Sequence, residues 1–377
     1  MSRILVVSPS FPPDKTVAVV RMASFVDFLL SKKQEVIVVT NKKKEPYSMS
    51  PIGLRVEYVD IVADNGYSSF SQNSKKYVNK VKALLDVCKV DCIVVSMGPF
   101  YTYKIAALAK RKKVKCLIDF RDPWSFDRRE ESLLAQTKRV LQFPVKYAKE
   151  CVAICNSNCV TTVTPGWVER FKKYHPFQKK KFYLVENGYD DKRLSCIDLS
   201  KNNSDDNEKF VIGVFGKLFY YSKRYAEVFL RAIEEIPDVN LIIKQVGQLE
   251  ENAVERFASH KIKKDIIINT GFVDYTRGIM LLRDCDVFLI IDDRKEALGT
   301  KIYDYIFMKK PIIYVGPADS AIASVIKDID NCFVCDNIER VVEALRFTDI
   351  HRGLTVNCNR DFSRTSQNAT LYKLLKL

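Results

Sequence analysis

The 377-residue sequence predicts an α/β protein with two doubly wound parallel sheets, each in its own domain. Apolar runs typical of buried parallel strands alternate with helical patterns, starting at "RILVVSPS" in residues 3–10. The same alternation starts again at "FVIGVFG" in residues 210–216. Residues 186–209, which are polar and acidic without a clear period, read as the linker between the two blocks.

The first predicted domain covers residues 1–185, and each of its strands is a short apolar run. These runs lie at 3–10, 35–40, 91–96, 115–120 and 159–165. Helical patterns follow several of them, at 21–31, 101–111 and 166–174. Strands that alternate with helices in this way favour a parallel sheet covered on both faces.

The second predicted domain covers residues 210–355 and repeats that organisation. Its predicted strands lie at 210–216, 240–247, 265–271, 287–292 and 311–316. Helical patterns lie near 224–236 and 275–283, and another follows Gly299. The tail, residues 356–377, predicts a C-terminal helix that packs back on the first domain.

Two such domains joined by a linker predict a cleft between them. Ligands of open parallel sheets bind beyond the carboxyl ends of the strands. The residues that directly follow each predicted strand are therefore the first candidates for a functional site.

The net charge of +15 is distributed unevenly along the chain. Residues 1–185 hold 33 lysines and arginines against 16 acidic residues, whereas residues 186–377 hold 28 against 30. Any single basic cluster, such as "KRKKVK", is most simply a solvated face. The asymmetry between the halves indicates that the first half meets an anionic partner, such as a membrane surface, a phosphorylated acceptor or nucleic acid.

Cysteine usage and hydropathy narrow the class of protein. Eleven scattered cysteines suit a reducing cytoplasm better than a disulfide framework. The single C-x-x-C, Cys332 and Cys335, has no second pair, so core thiols are favoured over zinc. No apolar run reaches the ~18 residues of a membrane-spanning helix, and the first residues are strand-like rather than a signal peptide. His175, His260 and His351 have polar or basic neighbours, which favours solvent exposure.

The segment "KEALGTKIYDYIFMKKPIIYV", residues 295–315, carries the strongest candidate site. Gly299 and Thr300 are suited to a helix start, where unpaired N–H groups bind phosphate, and Lys301 adds a positive charge. Glu296 and Asp304 would flank that opening, so that carboxylates meet the hydroxyls of a nucleoside diphosphate sugar. A capped surface helix with unrelated charges explains the spacing equally well.

Two further segments follow predicted strands. In "VFGKLFYYSKR", Gly216 makes a turn and is followed by three cations, Lys217, Lys223 and Arg224, that could neutralise a leaving diphosphate. In "DFRDPW", residues 119–124, Arg121 and Asp122 lie at the end of a strand. A structural ion pair made by Arg121 is an equally good reading of that segment.

Taken in order, these segments resemble the family 4 glycosyltransferases, which have the two-domain GT-B fold. The resemblance runs nearly end to end, through "ILVVSPSFPPD", "DFRDPW", "VTTVTPGWVERF", "ENGYD", "VIGVFGKL", "NTGFVDYTRGIMLLRDCDVFLII" and "EALGTKIYDYIFMKKPII". The "DFRDPW" segment looks like the mark of a subgroup. The family carries two glutamates separated by seven residues, with a glycine between them.

The resemblance implies a role for each matching residue. Glu296 would meet the hydroxyls of the donor sugar, and Asp304 the ribose. The N–H groups of Thr300 and Lys301 would hold the distal phosphate, and Lys217 with Lys223 or Arg224 would be the basic pair. Residues 271–273, which are Gly271, Phe272 and Val273, would lie near the base. Arg121 and Asp122 are assigned to the acceptor or sugar side.

The chain departs from the family pattern at two positions. The second acidic residue is Asp304 rather than glutamate, so its carboxylate is one methylene shorter. The loop after the first strand, "DKTVAVVR", lacks the usual glycine pair but keeps Arg21.

The implied function is a retaining transfer of sugar from a UDP- or GDP-sugar to a hydroxyl, without a metal or other cofactor. The acceptor would be a lipid-linked surface glycan or glycolipid, reached from the cytoplasm with the basic half on anionic lipid. A sugar-nucleotide epimerase of the same fold is one alternative. A non-catalytic module that binds nucleic acid through the basic half is another.

Overall fold

The chain forms two compact α/β units in a computed structural model. The structure describes residues 2–13, 17–42, 51–63, 66–126, 133–199, 209–251, 253–260, 262 and 266–376. The first unit comprises Met1–Asn187 with Arg364–Leu377, and the second comprises Gly188–Ser363. Residues 188–199 of the predicted linker thus belong to the second unit, and residues 200–208 lie outside the described ranges.

The first unit is built on a seven-stranded parallel sheet. Its strands are β1 (Arg3–Val7), β2 (Glu35–Asn41), β3 (Leu54–Val59), β4 (Cys92–Met97), β5 (Lys115–Phe120), β6 (Cys159–Thr162) and β7 (Phe182–Leu184). The spatial order is β3-β2-β1-β4-β5-β6-β7, and every neighbouring pair is parallel. Its helices before the linker are α1 (Val17–Ser31), α2 (Tyr67–Val87), α3 (Ile105–Arg111), α4 (Leu133–Asn156) and α5 (Pro165–Tyr174).

The second unit repeats this plan with six parallel strands. They are β8 (Phe210–Phe215), β9 (Leu241–Val246), β10 (Ile267–Asn269), β11 (Val287–Ile291), β12 (Ile312–Val315) and β13 (Cys332–Cys335), in the order β10-β9-β8-β11-β12-β13. Its helices are α6 (Asp191–Leu194), α7 (Lys223–Glu234), α8 (Ala253–Ser259), α9 (Tyr275–Leu282), α10 (Lys301–Phe307), α11 (Ala321–Ile326) and α12 (Ile338–Ile350).

Both sheets confirm the predicted α/β fold class with two doubly wound parallel sheets. All the predicted strands are present, with ends that differ by a few residues. Three strands were not predicted: Leu54–Val59, Phe182–Leu184 and Cys332–Cys335. Two short 3-10 helices, Phe100–Thr102 and Pro176–Lys181, complete the connections of the first unit.

The C-terminal helix, α13 (Arg364–Leu375), packs on α1 within the first unit. Leu371, Leu374 and Leu375 join the apolar core that contains Phe25 of α1. The amide of Asn368 donates hydrogen bonds to the backbone and side-chain oxygens of Ser24, at 3.2 and 2.9 Å.

A buried ion pair joins three parts of the first unit near the carboxyl end of its sheet. The guanidinium of Arg21, on α1, donates to both carboxylate oxygens of Asp119 at the end of β5, over 2.9 and 2.8 Å. It also donates to the carbonyls of Val185 and Glu186. Thr161 donates its hydroxyl to the same carboxylate. Arg21 therefore holds a helix, a strand end and the chain after β7 together. Residues 14–16 of the loop that precedes α1 lie outside the described ranges.

We expect Arg21→Met to lower the free energy of unfolding by about 3–5 kcal/mol, since the Asp119 carboxylate would stay buried without its cation. Urea denaturation of the full chain measures this. Arg3→Met is the matched control, because the pair between Arg3 and Glu35 is over a third exposed and should contribute less than about 1 kcal/mol. Equal losses in the two variants would contradict a structural role for the buried pair.

Candidate functional site

The second sheet has a topological switch point between β8 and β11. The chain leaves β8 toward β9 on one side, and β11 leads to β12 on the other. The loops that follow β8 and β11 therefore diverge and leave a crevice at the carboxyl edge, where such sheets bind ligands. These two loops contain predicted site segments. The loop after β8 begins at Gly216, and the loop after β11 precedes Lys301.

Two glycines let the ends of β8 and β9 approach closely. Gly216 has a φ of 80°, and a side chain on Gly247 would place its Cβ 2.9 Å from the Gly216 Cα. The Gly216 N–H donates to the Val246 carbonyl over 2.7 Å, and the Gln245 amide donates to the Gly216 carbonyl over 2.9 Å. This fixed turn places Lys217 directly after the strand.

A partly buried carboxylate holds the chain just beyond Lys217. Glu250 accepts the backbone N–H groups of Leu218 and Phe219 on one carboxylate oxygen, at 2.8 and 3.1 Å. Its other oxygen is buried and has no hydrogen-bond partner. Lys217 thus lies on a loop whose backbone is tied to the segment after β9, and its Nζ is 3.5 Å from the Gln248 side-chain oxygen.

The structure brings Lys301 to Lys217. Helix α10 begins at Lys301 with Thr300 as the N-cap residue, as predicted, although the Thr300 side chain makes no capping hydrogen bond. The Lys301 ammonium donates to the backbone carbonyl of Lys217 over 3.3 Å. The Lys301 side chain from one loop therefore reaches the backbone of the other loop at the switch point.

Burial lowers the pKa of the Lys301 ammonium to about 8, against the opposing effect of the Asp292 and Glu250 carboxylates, and nearby Arg294 adds to the lowering. Near neutral pH the ammonium remains charged but is poorly compensated. An anion placed here would stabilise the charged form.

Arg294 is a third cation at this edge that the sequence analysis missed. Its guanidinium pairs with both carboxylate oxygens of Asp292, at 2.9 and 2.6 Å, and lies 3.9 Å from the centre of the Tyr221 ring. Asp292 was read as the end of a strand, and it does follow β11 directly. Gly316 allows this arrangement, because a Cβ there would lie 2.2 Å from the Asp292 carbonyl. The only signal available in the sequence was the position of these charges, directly after an apolar strand.

The residues predicted to contact the ribose and the base lie in α10 and on the loop before α9. Asp304 is buried and accepts a short hydrogen bond from the Tyr275 hydroxyl, at the start of α9. The residues just before α9 include Gly271, with a φ of 68°, and Phe272, whose side chain is 93% exposed. Val273 is partly buried against the core. Gly271 also bridges Gly247, so the turns after β8, β9 and β10 line one edge.

The other predicted cations and the first carboxylate are placed less tightly. Lys223 and Arg224 form the first turn of α7 and are both exposed, and the Arg224 guanidinium lies 5.2 Å from the Tyr225 ring centre. Glu296 is half-buried in the loop between β11 and α10, and Gly299 in the same loop has open space where a side chain would project. The roles assigned to these residues stay predictions.

In the first unit, Arg121 and Asp122 follow β5. One guanidinium nitrogen of Arg121 lies 3.4 Å from the Gly98 carbonyl, and its Nε is buried without a hydrogen-bond partner. Asp122 is exposed. The carboxylate of this segment that does form an ion pair is Asp119, and its partner is Arg21. The structural ion pair considered for Arg121 is therefore made by a different arginine.

The expectation of exposed histidines was wrong for two of the three. His175 is buried and contacts Glu150 over 2.9 Å. His260 is mostly buried, with its two ring nitrogens 3.1 and 3.2 Å from Glu227 and Glu234. Only His351 is exposed. The carboxylate partners are 25 to 33 residues away along the chain, so the local composition around each histidine could not reveal them.

All eleven cysteines are free, including Cys332 and Cys335 on β13. In the described part of the chain, no three histidine, cysteine or acidic side chains are grouped so that they could hold a metal ion. None of the described helices is both long and apolar enough to span a bilayer.

Comparison with solved structures identifies the architecture as the GT-B fold. The chain aligns over 100% of its length with 98% of sucrose-phosphate synthase from Thermosynechococcus elongatus, at 13% identity and a TM-score of 0.65. It aligns over 100% of both chains with HepE of Anabaena in complex with UDP and glucose, at 12% identity and a TM-score of 0.62.

The same fold also occurs with a different activity. UDP-GlcNAc 2-epimerase from Methanocaldococcus jannaschii covers 100% of this chain with 99% of its own, at 13% identity and a TM-score of 0.58. No protein-family profile and no curated sequence matches the chain. The predicted two-domain GT-B fold is thus confirmed, and identities this low define the fold alone.

If UDP binds at this edge, we expect its affinity to fall as the pH rises above 8, because the Lys301 ammonium must carry its proton to attract the diphosphate. Between pH 7 and 9 the dissociation constant should rise up to about tenfold by proton linkage. Isothermal titration at several pH values measures it. Lys301→Arg is the matched variant, since arginine stays charged throughout and the curve should flatten. If the dissociation constant of the wild type depended on pH in the same way as that of the arginine variant, Lys301 would not be a diphosphate-binding residue.

Proposed function

We propose that this protein is a glycosyltransferase that moves a sugar from a nucleotide-sugar donor to a hydroxyl group of an acceptor. The observation that carries the proposal is the contact of the Lys301 ammonium with the backbone carbonyl of Lys217 at the switch point of the second sheet. Two ammonium groups on fixed loops, one of them held in a site that lowers its pKa, suit the diphosphate of a nucleotide.

The donor would lie along the carboxyl edge of the second sheet. Its diphosphate would take the Lys217 and Lys301 ammonium groups, with Lys223 or Arg224 adding a further cation. The sugar hydroxyls would reach Glu296. The ribose would meet Asp304, held by Tyr275, and the base would lie against residues 271–273, where Phe272 offers an exposed aromatic ring. The UDP complex of HepE, which shares the fold, supports UDP as the first donor nucleotide to test.

The proposed chemistry breaks the bond between the anomeric carbon and the diphosphate oxygen. The acceptor hydroxyl oxygen forms the new bond to that carbon, and its proton passes to the departing phosphate. The nucleoside diphosphate leaves with the negative charge, which the lysines stabilise. Attack on the face from which the diphosphate departs would retain the anomeric configuration, as the family resemblance implies. Cationic side chains already present would make a metal unnecessary.

Arg121 and Asp122 are proposed to contact the acceptor or the transferred sugar. The acceptor itself would be a lipid-linked glycan or glycolipid. The charge excess of residues 1–185 supports this choice, because 33 basic residues against 16 acidic ones would favour an anionic lipid surface.

A sugar-nucleotide epimerase is the second candidate, favoured by the archaeal epimerase of the same fold. Epimerisation needs a group that moves a proton at the sugar. His175 contacts the Glu150 carboxylate and His260 contacts those of Glu227 and Glu234, and neither histidine lies in the segments that form the proposed donor site. Product analysis without an acceptor separates the two activities, since only an epimerase would convert the free nucleotide sugar.

We expect Lys217→Ala to lower the rate of sugar transfer about 10²- to 10³-fold, because a cation that meets charge developing in the transition state is lost. Glu296→Ala should weaken use of the donor sugar while UDP itself still binds. Transfer of radiolabelled sugar from UDP- and GDP-sugars to membrane extracts measures both effects. Lys327→Ala is the matched control, an exposed lysine of the same unit.

Loss of activity in the Lys327 variant, or full activity in the Lys217 variant, would overturn the assignment of the site. Absence of transfer from any common nucleotide sugar by the wild type would overturn the function itself. Salt-sensitive binding of generic DNA or RNA without nucleotide-sugar binding would favour the nucleic-acid alternative.

We expect the protein to co-sediment with vesicles that contain anionic phospholipid and not with phosphatidylcholine alone, and salt should weaken the association. Exchange of two exposed cations of α3, Lys110→Glu with Arg111→Glu, should weaken it further. A matched pair in the second unit, Lys309→Glu with Lys327→Glu, makes the same charge change as a control. Equal effects of the two pairs would show that the first half has no special role.

A further inference from the structure

We infer that Glu150 and His175 are positioning residues: their buried contact fixes the backbone of residues 121–126, the edge segment, which carries Arg121 and Asp122. The inference rests on the proposed function, which assigns Arg121 and Asp122 of that segment to contacts with the acceptor or the transferred sugar. Neither residue is part of the segment, and neither needs to touch a substrate. Their role is to hold the chain that does.

The contacts of Glu150 are concentrated on the edge segment. One carboxylate oxygen accepts the backbone N–H groups of Trp124 and Ser125, at 3.2 and 3.0 Å. The other accepts the Ser125 hydroxyl over 2.7 Å and faces His175 Nε2 at 2.9 Å. A fully buried side chain on α4 therefore receives three hydrogen bonds from two consecutive residues that follow β5.

The hydrogen bonds also define the state of His175. Because Nε2 faces a carboxylate, it carries a proton, and Nδ1 lies 3.7 Å from the Cys151 sulfur. Burial raises the pKa of the Cys151 thiol, so the thiol keeps its proton and can donate to Nδ1. Donors therefore converge on the Glu150 carboxylate from two sides, from Cys151 through His175 and from Trp124 and Ser125 of the edge segment.

Aromatic packing holds the ring of His175 in place. The ring stacks on Tyr147 with the two centres 5.1 Å apart, and Phe171 lies at 6.2 Å. His175 also ends helix α5. The position of the His175 ring is thus fixed by these contacts as well as by its contact with Glu150.

Burying a carboxylate costs desolvation free energy, so it is a poor way to stabilise a fold. Apolar residues of similar size often replace buried charged groups without loss of stability, whereas such groups can specify one conformation among several. Among the described residues, every hydrogen bond of the Glu150 carboxylate other than the one with His175 comes from Trp124 or Ser125. The network therefore specifies the path of one loop.

That path places the edge segment beside the loop that follows β4. The Trp124 ring stacks on Phe100 with the centres 4.8 Å apart and the planes 5° from parallel. Arg121 meets the carbonyl of Gly98 in the same loop. If the Trp124 and Ser125 amides lost their acceptor, the placement of Arg121 and the exposed Asp122 would change with them.

Hydrogen exchange on the full chain tests the inference without any substrate. In Glu150→Ala, the Trp124 and Ser125 amides should exchange about tenfold faster or more, because both lose a charged acceptor. Peptides of the second unit should be unchanged. Glu169→Ala is the matched control, since Glu169 is an exposed carboxylate of the same unit that pairs with Lys172.

Glu150→Gln is the conservative variant, and the geometry predicts that it rescues. The glutamine oxygen can accept from both backbone amides, and its NH₂ group can donate to Ser125 Oγ and to His175 Nε2 once the histidine proton moves to Nδ1. Cys151 then becomes the acceptor. Exchange rates near those of the wild type are expected for Glu150→Gln, and loss of that rescue is expected when Cys151→Ala is added.

The inference also predicts a change in the kinetics of acceptor use. Glu150→Ala should raise the KM for the acceptor or lower kcat with it, while the affinity for UDP stays that of the wild type. If Glu150→Ala does not fold, His175→Phe keeps the stacking and removes the Nε2 donor, and it should show the same changes at smaller size. Unchanged exchange at Trp124 and Ser125 in a folded variant would overturn the inference. So would unchanged acceptor kinetics.

The two proposals fail in different ways. A wild-type chain that transfers no sugar would overturn the proposed function, and the exchange rates would still decide whether Glu150 holds the edge segment. A wild-type chain that transfers sugar, with a Glu150→Ala variant of equal acceptor KM and kcat, would overturn only the inference.

Discussion

The contact between the Lys301 ammonium and the Lys217 carbonyl is the interaction on which the proposed site depends. It exists because α10 is held against the end of β8. The Phe215 N–H donates to the Tyr305 hydroxyl over 2.7 Å, and the Tyr305 ring stacks on Phe288 with the centres 4.3 Å apart. Packing of Tyr305 thus holds the start of α10 close to the end of β8, although the two are far apart in sequence. The Lys301 side chain can reach the Lys217 backbone because of this packing.

The central strands of both sheets were predictable, and the strands missed were all at sheet edges. Leu54–Val59, Phe182–Leu184 and Cys332–Cys335 are the edge strands β3, β7 and β13. A central parallel strand such as Cys92–Met97 is buried at every position and reads as a continuous apolar run. An edge strand is half exposed or very short, so its sequence resembles that of a loop.

The proposed site was predictable where the sequence places a charge directly after a strand, as at Lys217. It was not predictable where a charge acts through a distant partner. Glu250 accepts from the backbone about 30 residues earlier, and Glu150 accepts from Ser125 although it lies on helix α4, 25 residues later. The folded contacts decide these cases, because a carboxylate among polar neighbours in sequence can still be partly or wholly enclosed in the fold. For the same reason His175 was misread as exposed.

A crystal structure of the full chain with UDP tests the central claim most directly. The account requires diphosphate oxygens within about 3 Å of the Lys217 and Lys301 ammonium groups, which is ordinary hydrogen-bond distance for charged groups. UDP bound elsewhere on the chain, or bound here with its phosphates turned away from both lysines, would contradict it.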